Sequence, residues 1–249
     1  MMLDEALASL FPSGHEVKRG PSGTLYGIAR VEGQGEVTVV GIVGGTPLGV
    51  DAAILLSGHI LAAVAAGGHA PIVVLLDTAS QNMARRDELL GLNEYLAHLA
   101  KSLTLAAAHG HRTVTMLFGR AAAGAFIATA LSTQFLVALP GAQPSVMDLP
   151  SISRVTKLPL ERLKELASST PIFAPGVEPL SAIGAVTETW AADPPFANRL
   201  AALLLQPVAT SDVRDRIGLE RKGRLLARKI AERVAAEAVA ERVAADASG

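Results

Sequence analysis

Apolar residues concentrate in short runs along the first two thirds of the chain. Runs rich in Val, Ile and Leu with few polar interruptions are typical of strands that are buried on both faces. Four such runs occur, at Glu36–Val43, Pro71–Leu76, Thr113–Phe118 and Thr133–Leu139. A shorter run, Tyr26–Val31, precedes the first of them across a Gly-containing turn, and this arrangement predicts a β-hairpin.

Helical segments separate these strands. The spacing of apolar residues predicts helices over Asp51–Ala66, Arg86–His109 and Ala125–Ser132, and Asp51 or Thr46 is the expected N-cap of the first. Strands that alternate with helices favour parallel pairing, with the helices packed outside the sheet. The pattern therefore predicts an α/β fold.

The chain is expected to form a single domain over residues 1–249, with a core at about Gly23–Leu205. Pro140–Ser153, with its prolines, is predicted to be a loop. Residues from about 211 to 246 are charged and Ala-rich, and Asp212–Ala245 is predicted to form one or two long helices. Two interpretations of this extension stay open: a solvated helix packed on the domain, or an arm that binds a partner.

Composition excludes several classes of function. Lys and Arg number 22 against 23 Asp and Glu, so the net charge of −1 argues against a general grip on nucleic acid or an anionic membrane. The absence of cysteine excludes disulfides, a thiol nucleophile and thiolate metal ligands. The six histidines show no metal-ligand spacing, so no metal is expected. Neither a secretory signal nor a membrane span is apparent, and the expected location is the cytoplasm.

The stretch from Gly119 to Phe126, Gly-Arg-Ala-Ala-Ala-Gly-Ala-Phe, carries the candidate chemistry. It joins the predicted strand Thr113–Phe118 to an Ala-rich helix. A strand that turns into a helix through small residues leaves backbone N–H groups bare at the helix start, where the dipole also favours negative charge. Such groups form an oxyanion hole without a catalytic side chain. A nucleophile is not expected, since no Gly-x-Ser-x-Gly motif occurs.

Several motifs in the same order resemble the acyl-CoA carboxyltransferases of the crotonase superfamily. They are Pro71–Ala79, Arg86–Leu99, Thr113–Phe126 and Leu139–Met147. Three further segments resemble the gamma subunit of biotin-independent malonate decarboxylase in particular: Val146–Lys157, Ser169–Glu178 and Ile183–Trp190. The resemblance covers roughly Gly23–Leu205.

The resemblance implies a crotonase-like (ClpP/crotonase) spiral of ββα units with flanking helices. It implies a decarboxylase that works as a complex with a homologous beta subunit, as a heterodimer or a larger assembly. In that family an alpha subunit loads malonate as a thioester on an acyl carrier protein, and the beta–gamma pair converts malonyl-S-carrier to acetyl-S-carrier and CO2. The thioester is carried on a dephospho-CoA-derived arm, biotin is not used, and no cofactor is expected on this chain.

The chain departs from the wider carboxyltransferase pattern at the candidate site. Ala123 replaces the first Gly of a Gly-Gly pair, and the segment from Asp77 lacks the family's Pro-Gly. The candidate donors to the thioester oxygen are the N–H groups of Ala123 and Gly124, with a second contribution near Thr78 and Ala79. For Gly124, close helix–strand packing is the alternative explanation.

Two side chains are candidates for substrate binding. Arg120 is placed to steer a carboxylate, although such an arginine also commonly pairs with an acidic neighbour, and Ser145 lies in the loop that follows the last strand.

Two other functions stay open. Besides the decarboxylase subunit, the chain could be a non-catalytic assembly subunit that supports a site in the beta subunit. The other alternative is the half of a carboxyltransferase that acts on biotin and an acyl-CoA.

Overall fold

A seven-stranded sheet forms the centre of the computed structural model, which describes residues 1–171, 174–191, 195–207 and 211–246. The described residues form nine strands in two sheets: β1 (Lys18–Arg19), β2 (Thr24–Val31), β3 (Gly35–Ile42), β4 (Ile72–Leu76), β5 (Thr113–Leu117), β6 (Arg120–Ala122), β7 (Phe135–Ala138), β8 (Gln143–Ser145) and β9 (Glu188–Thr189). The sheet has the order β1-β2-β3-β4-β5-β7-β9, and β6 pairs with β8 in a separate small sheet.

The sheet is antiparallel from β1 to β3 and parallel from β3 to β9. The predicted hairpin is confirmed as β2 and β3, and the parallel pairing of the buried apolar runs is confirmed as well. In the parallel pairing of β3 with β4, Gly41 lies opposite Leu75. A Cβ at Gly41 would overlap the Leu75 carbonyl oxygen, so this register requires glycine.

Helices cover both faces of the sheet. They are α1 (Leu3–Leu10), α2 (Val50–Ala65), α3 (Arg85–Leu89), α4 (Leu92–Ala108), α5 (Ala123–Ala128), α6 (Leu149–Thr156), α7 (Leu160–Ser169), α8 (Val177–Ala182), α9 (Ala197–Leu205), α10 (Arg214–Glu220) and α11 (Leu225–Asp246). Short 3-10 turns occur at Pro21–Gly23 and Ala130–Ser132.

Each face of the sheet buries its own apolar core. On one face, α1 contributes Leu10, and Phe196, the N-cap of α9, is also among the fully buried side chains. On the opposite face, α2, α4 and α5 contribute Leu56, Leu103 and Phe126. Alternate residues of the central strands point to opposite faces, so the same strands supply both cores.

The long helix predicted over Arg86–His109 is wrong, because the chain forms two helices there. α3 ends at Leu89, and α4 begins at Leu92 after Gly91, which has a left-handed φ of +79°. Glycine adopts this conformation without strain, so the break costs little.

The loop predicted over Pro140–Ser153 also contains regular structure. Strand β8 pairs with β6, and α6 begins at Leu149. The Asp148 carboxylate accepts a hydrogen bond of 2.8 Å from the Ser151 N–H, which makes Asp148 the N-cap of α6.

The predicted N-cap of α2 is wrong as well. Neither Asp51 nor Thr46 caps this helix; its N-cap is Gly49. The Val50 N–H instead donates to Oδ1 of the buried Asp87 over 2.7 Å, and Asp87 also accepts from Asn82 over 2.9 Å. A residue 37 positions away therefore supplies the carboxylate that a local cap would have supplied.

The C-terminal extension contains two helices, the short α10 and the long α11. Arg221 anchors it by donating to the Val186 carbonyl oxygen over 2.7 Å. Residues 225–240 of α11 are all exposed, so this part of the helix does not pack on the domain. None of the described helices is both long enough and apolar enough to span a membrane.

Candidate active site

Asp77 ties together three segments at the carboxyl edge of the sheet. It directly follows β4, and its carboxylate accepts the Arg120 N–H over 3.0 Å and the Gly45 N–H over 3.2 Å. Gly45 lies in the loop after β3, and Arg120 begins β6 shortly after β5. In open α/β sheets the carboxyl edge is where ligands commonly bind, so these bonds place the segments of a site relative to one another.

Thr78 uses both of its hydrogen-bond donors within the framework formed by Asp77 and the segments that its carboxylate joins. Its N–H donates to the Arg120 carbonyl over 2.7 Å, and its hydroxyl donates to the Thr46 carbonyl over 2.6 Å. The Thr78 N–H is therefore not available to a substrate in this arrangement. Ala79 is half-buried, and within the described ranges its N–H has no acceptor. Ala79 thus remains the candidate donor from this segment.

The turn at Ala123 has an unusual backbone conformation. Residues Arg120–Ala122 form strand β6 rather than a loop, and α5 begins at Ala123, two residues earlier than predicted. Ala123 has a left-handed φ of +51°, which alanine rarely adopts because its Cβ crowds the backbone. The resemblance noted above places a glycine at this position. A strained residue at a strand-to-helix turn is a feature of functional sites.

The Gly124 N–H is not bare as predicted, because a side-chain oxygen binds it. Oε1 of Gln81 accepts this N–H over 2.9 Å. A Cβ at Gly124 would lie 3.3 Å from the same oxygen and 3.2 Å from Cδ1 of Leu96. Gln81 and Leu96 therefore form the walls around the Gly124 amide. No sequence motif marks Gln81; the only signal is its position just after the end of β4.

Arg120 and Ser145 belong to the two strands of the small sheet. β6 and β8 run parallel, with Arg120 opposite Gln143 and Ala122 opposite Ser145. The Arg120 side chain is exposed, and its backbone rather than its guanidinium joins the Asp77 framework. Ser145 is half-buried beside the residue that precedes Ala123. The structure brings both residues to the turn, and their roles in binding stay predictions.

A cavity of about 220 Å³ opens beside this framework. Its walls include Thr46, Asp51, Asn82, Arg86 and the buried Asp87. Two hydrogen bonds of 2.8 Å and 3.0 Å join Arg86 to the Asp51 carboxylate. Within the ranges that the structure describes, no group of three His, Asp or Glu residues is arranged to hold a metal ion.

The ion pair at this cavity gives a testable pKa. The Arg86 guanidinium, chiefly through its hydrogen bonds, holds the pKa of Asp51 below the usual value of about 3.9. We expect Arg86→Gln to raise the pKa of Asp51, measured by NMR titration of its side-chain carboxyl. The pKa of Asp51 is lower in the folded protein than in the unfolded chain. The ion pair therefore stabilises the fold at pH values above the Asp51 pKa of the unfolded chain, and this stabilisation is lost as the pH falls through the Asp51 pKa of the folded protein.

Asp148 provides the internal control for this titration. Its pKa is lowered by its hydrogen bonds with Ser151, not by Arg86. The pKa of Asp148 should therefore be the same in the wild type and in Arg86→Gln. An unchanged pKa of Asp51 in the variant would contradict the cause assigned here.

Comparison with known protein families shows which family the chain belongs to. The family model described as malonate decarboxylase gamma subunit matches residues 43–238. The chain belongs to this family. The matched region includes the whole candidate site, from the loop at Gly45 to the β6–β8 pair.

One curated relative and two solved structures are also similar to this chain. The malonyl-S-ACP:biotin-protein carboxyltransferase of Malonomonas rubra is 34% identical over 121 residues, which is 47% of this chain and 41% of the relative. A Pseudomonas malonate decarboxylase hetero-tetramer, solved with coenzyme A, matches with a TM-score of 0.77 at 22% identity, over 91% of this chain and 97% of that one. Transcarboxylase 12S, with hydrolysed methylmalonyl-coenzyme A bound, matches with a TM-score of 0.63 at 18% identity, over 84% and 42%.

These matches confirm the crotonase-like α/β fold predicted from the motifs. The chain spans about two fifths of the length of the curated relative and of the transcarboxylase chain. It covers nearly all of the matching chain in the malonate decarboxylase hetero-tetramer. The chain therefore matches one part of the longer transcarboxylase chain.

Proposed function

We propose that this gamma-family chain works with a homologous beta subunit to decarboxylate malonyl-S-acyl carrier protein to acetyl-S-acyl carrier protein and CO2. The bond between the carboxylate carbon and Cα breaks, and its electron pair passes into a thioester enolate. One proton then adds to Cα. No electron-accepting cofactor is needed, because the thioester oxygen takes the charge.

Backbone N–H groups at the Ala123–Gly124 turn are proposed to stabilise that charge. The negative charge on the oxygen is larger in the transition state than in the bound thioester, so fixed donors favour the transition state. Ala79 is the proposed contributor from the segment after β4. Arg120 is proposed to steer the malonyl carboxylate, with Ser145 on the neighbouring strand as a further contact.

The observation that carries this proposal is the oxygen atom on the Gly124 N–H. Oε1 of Gln81 lies 2.9 Å from that nitrogen, at a distance suited to a thioester oxygen in the same position. The left-handed Ala123 orients this amide at the edge where Asp77 fastens the strand ends. An acyl oxygen that replaced Gln81 would meet a donor already in place.

Two observations support a beta partner. The match to transcarboxylase 12S uses 84% of this chain but covers only 42% of that longer chain, so a second chain would supply the part that is not matched. Large apolar side chains also stand exposed near the candidate site: Met83, Ile127, Val146 and Met147. We propose that these side chains form part of the surface that the beta subunit covers.

The acyl carrier protein, its dephospho-CoA-derived arm and the alpha subunit belong to the same proposal. They rest on membership of the family rather than on contacts of this chain. Biotin is not part of the proposed reaction. The second candidate is a carboxyltransferase half that acts on biotin, which the name of the Malonomonas rubra relative favours. Against it stands Ala123, which replaces the first glycine of the carboxyltransferase Gly-Gly pair.

The test is CO2 release from malonyl-S-carrier by the purified beta–gamma complex, compared with each subunit alone. We expect the complex to release CO2 and to form acetyl-S-carrier in equal amounts without biotin. If malonyl-S-carrier loses its carboxyl group only when biotin is present, and that group appears on biotin instead of as free CO2, the second candidate is correct. If the beta subunit alone is as fast as the complex, this chain has an assembly role.

A further inference from the structure

The Gly124 amide can serve only one strong acceptor at a time. Its single hydrogen is directed at Oε1 of Gln81 over 2.9 Å. A thioester oxygen can therefore take this hydrogen only if the Gln81 carbonyl leaves. Leu96 closes the neighbouring side of the same amide, since a Cβ at Gly124 would lie 3.2 Å from its Cδ1.

The backbone of Gln81 is fixed, whereas its side-chain end is lightly held. The flanking Ser80 carbonyl accepts the Leu48 N–H over 2.8 Å, and the Asn82 N–H donates to the Leu48 carbonyl over 2.8 Å. Apart from Gly124, the Gln81 amide contacts the exposed Met83 sulfur, which lies 3.5 Å from Nε2. Sulfur is a weak acceptor. Rotation of the side chain thus breaks one good hydrogen bond and moves no backbone.

We propose that Gln81 is an internal competitor of the substrate, whose side-chain carbonyl occupies the acyl-oxygen position until a thioester displaces it. This inference rests on the proposed function, because it takes the Gly124 N–H as the donor to the acyl oxygen. In the free subunit Gln81 satisfies an amide that would otherwise be exposed at a strained turn. On binding, one hydrogen bond is exchanged for another, so the ground state gains little affinity from this contact. A developing enolate is a much stronger acceptor than an amide carbonyl and gains far more.

Two substitutions change this competition in opposite directions. Gln81→Leu keeps the approximate shape and removes the competing oxygen, so the KM for malonyl-S-carrier should fall by about 2- to 10-fold, the value of one net hydrogen bond. Gln81→Glu keeps an acceptor and makes it anionic at pH 7, and its charge-assisted bond to Gly124 should raise KM by about tenfold. In Gln81→Leu the value of kcat should stay within about twofold of the wild type.

The measurement is steady-state CO2 release by the full-length chain in its beta–gamma complex, with melting curves for each variant. Gln143→Leu is the matched control, because Gln143 is exposed on β8 opposite Arg120 and should leave both constants unchanged. A lower KM for Leu and a higher KM for Glu support the inference.

Other outcomes overturn it in distinguishable ways. If kcat of Gln81→Leu falls about 100-fold at constant KM, Gln81 acts as a donor or holds the turn. If the wild type releases CO2 and both Gln81 variants match it, the acyl oxygen binds elsewhere; the inference and the assignment of Gly124 as donor then fail, while the proposed overall reaction stands. If the wild-type complex releases no CO2 at all, the proposed function fails, and the inference fails with it.

Discussion

Gly124→Val should slow CO2 release by the beta–gamma complex at least about 100-fold while leaving the complex assembled. A Cβ at this position already lies 3.2 Å from Leu96 and 3.3 Å from Gln81. The two methyl groups of valine reach further and block the approach of an acyl oxygen to the Gly124 N–H. Loss of one oxyanion-hole donor typically lowers the rate by about 100- to 1000-fold. The measurement is kcat for malonyl-S-carrier, with size-exclusion chromatography as the check on assembly.

Gly124→Ala is the matched control for that experiment. It adds the Cβ alone, and the atoms that it meets are the far ends of two flexible side chains, which can shift by a few tenths of an ångström. We expect this variant to retain most of the activity. Full activity in Gly124→Val would mean that the enolate is held by the beta subunit, and that this chain acts as a support.

Gly41→Ala should give a large loss of stability for a change that adds a single methyl group to the sheet. A Cβ at this position overlaps the carbonyl oxygen of Leu75 on the neighbouring parallel strand. Backbone atoms in a buried sheet cannot move aside locally, so the two central strands must separate. Overpacking typically costs about 1–3 kcal/mol. At about 2–4 °C per kcal/mol for a chain of this size, the melting temperature should fall by roughly 2–12 °C.

The same change at Gly58 serves as the control. Gly58 lies on the exposed side of α2, and a Cβ there would meet no atom within 4 Å. Alanine favours the helix by up to about 1 kcal/mol over glycine, so Gly58→Ala should melt at the same temperature or higher. Equal melting temperatures for Gly41→Ala and the wild type would show that β3 and β4 can separate at little cost.

The strands were predictable because a buried strand shows in the local sequence as a short run of apolar residues. Pro71–Leu76 and Thr113–Phe118 differ from the observed β4 and β5 by one residue each. A strand buried on both faces must be apolar throughout, whatever its neighbours are. The hairpin of β2 and β3 followed from its Gly-containing turn for an equally local reason.

The contacts that shape the site were not predictable, because they join residues far apart in sequence. Asp87 caps α2 from 37 residues away, and Gln81 reaches Gly124 across 43. No local rule singles out which polar residue in a loop will meet a distant N–H. The small β6–β8 sheet was missed for the same reason, since each of its strands spans only three residues and gains stability from the other.

The packing of α1 against α9 has a consequence for how the chain folds as it is synthesised. The Ser9 hydroxyl accepts the Phe196 N–H over 3.0 Å, and 187 residues separate the two. Leu10 and Phe196 lie in the same buried core, on one face of the sheet. Because the ribosome makes the N-terminal end first, α1 lacks this helical partner until α9 has emerged. The core on this side of the sheet is therefore completed last, and a chain truncated before Phe196 would leave that face only partly covered and prone to aggregate.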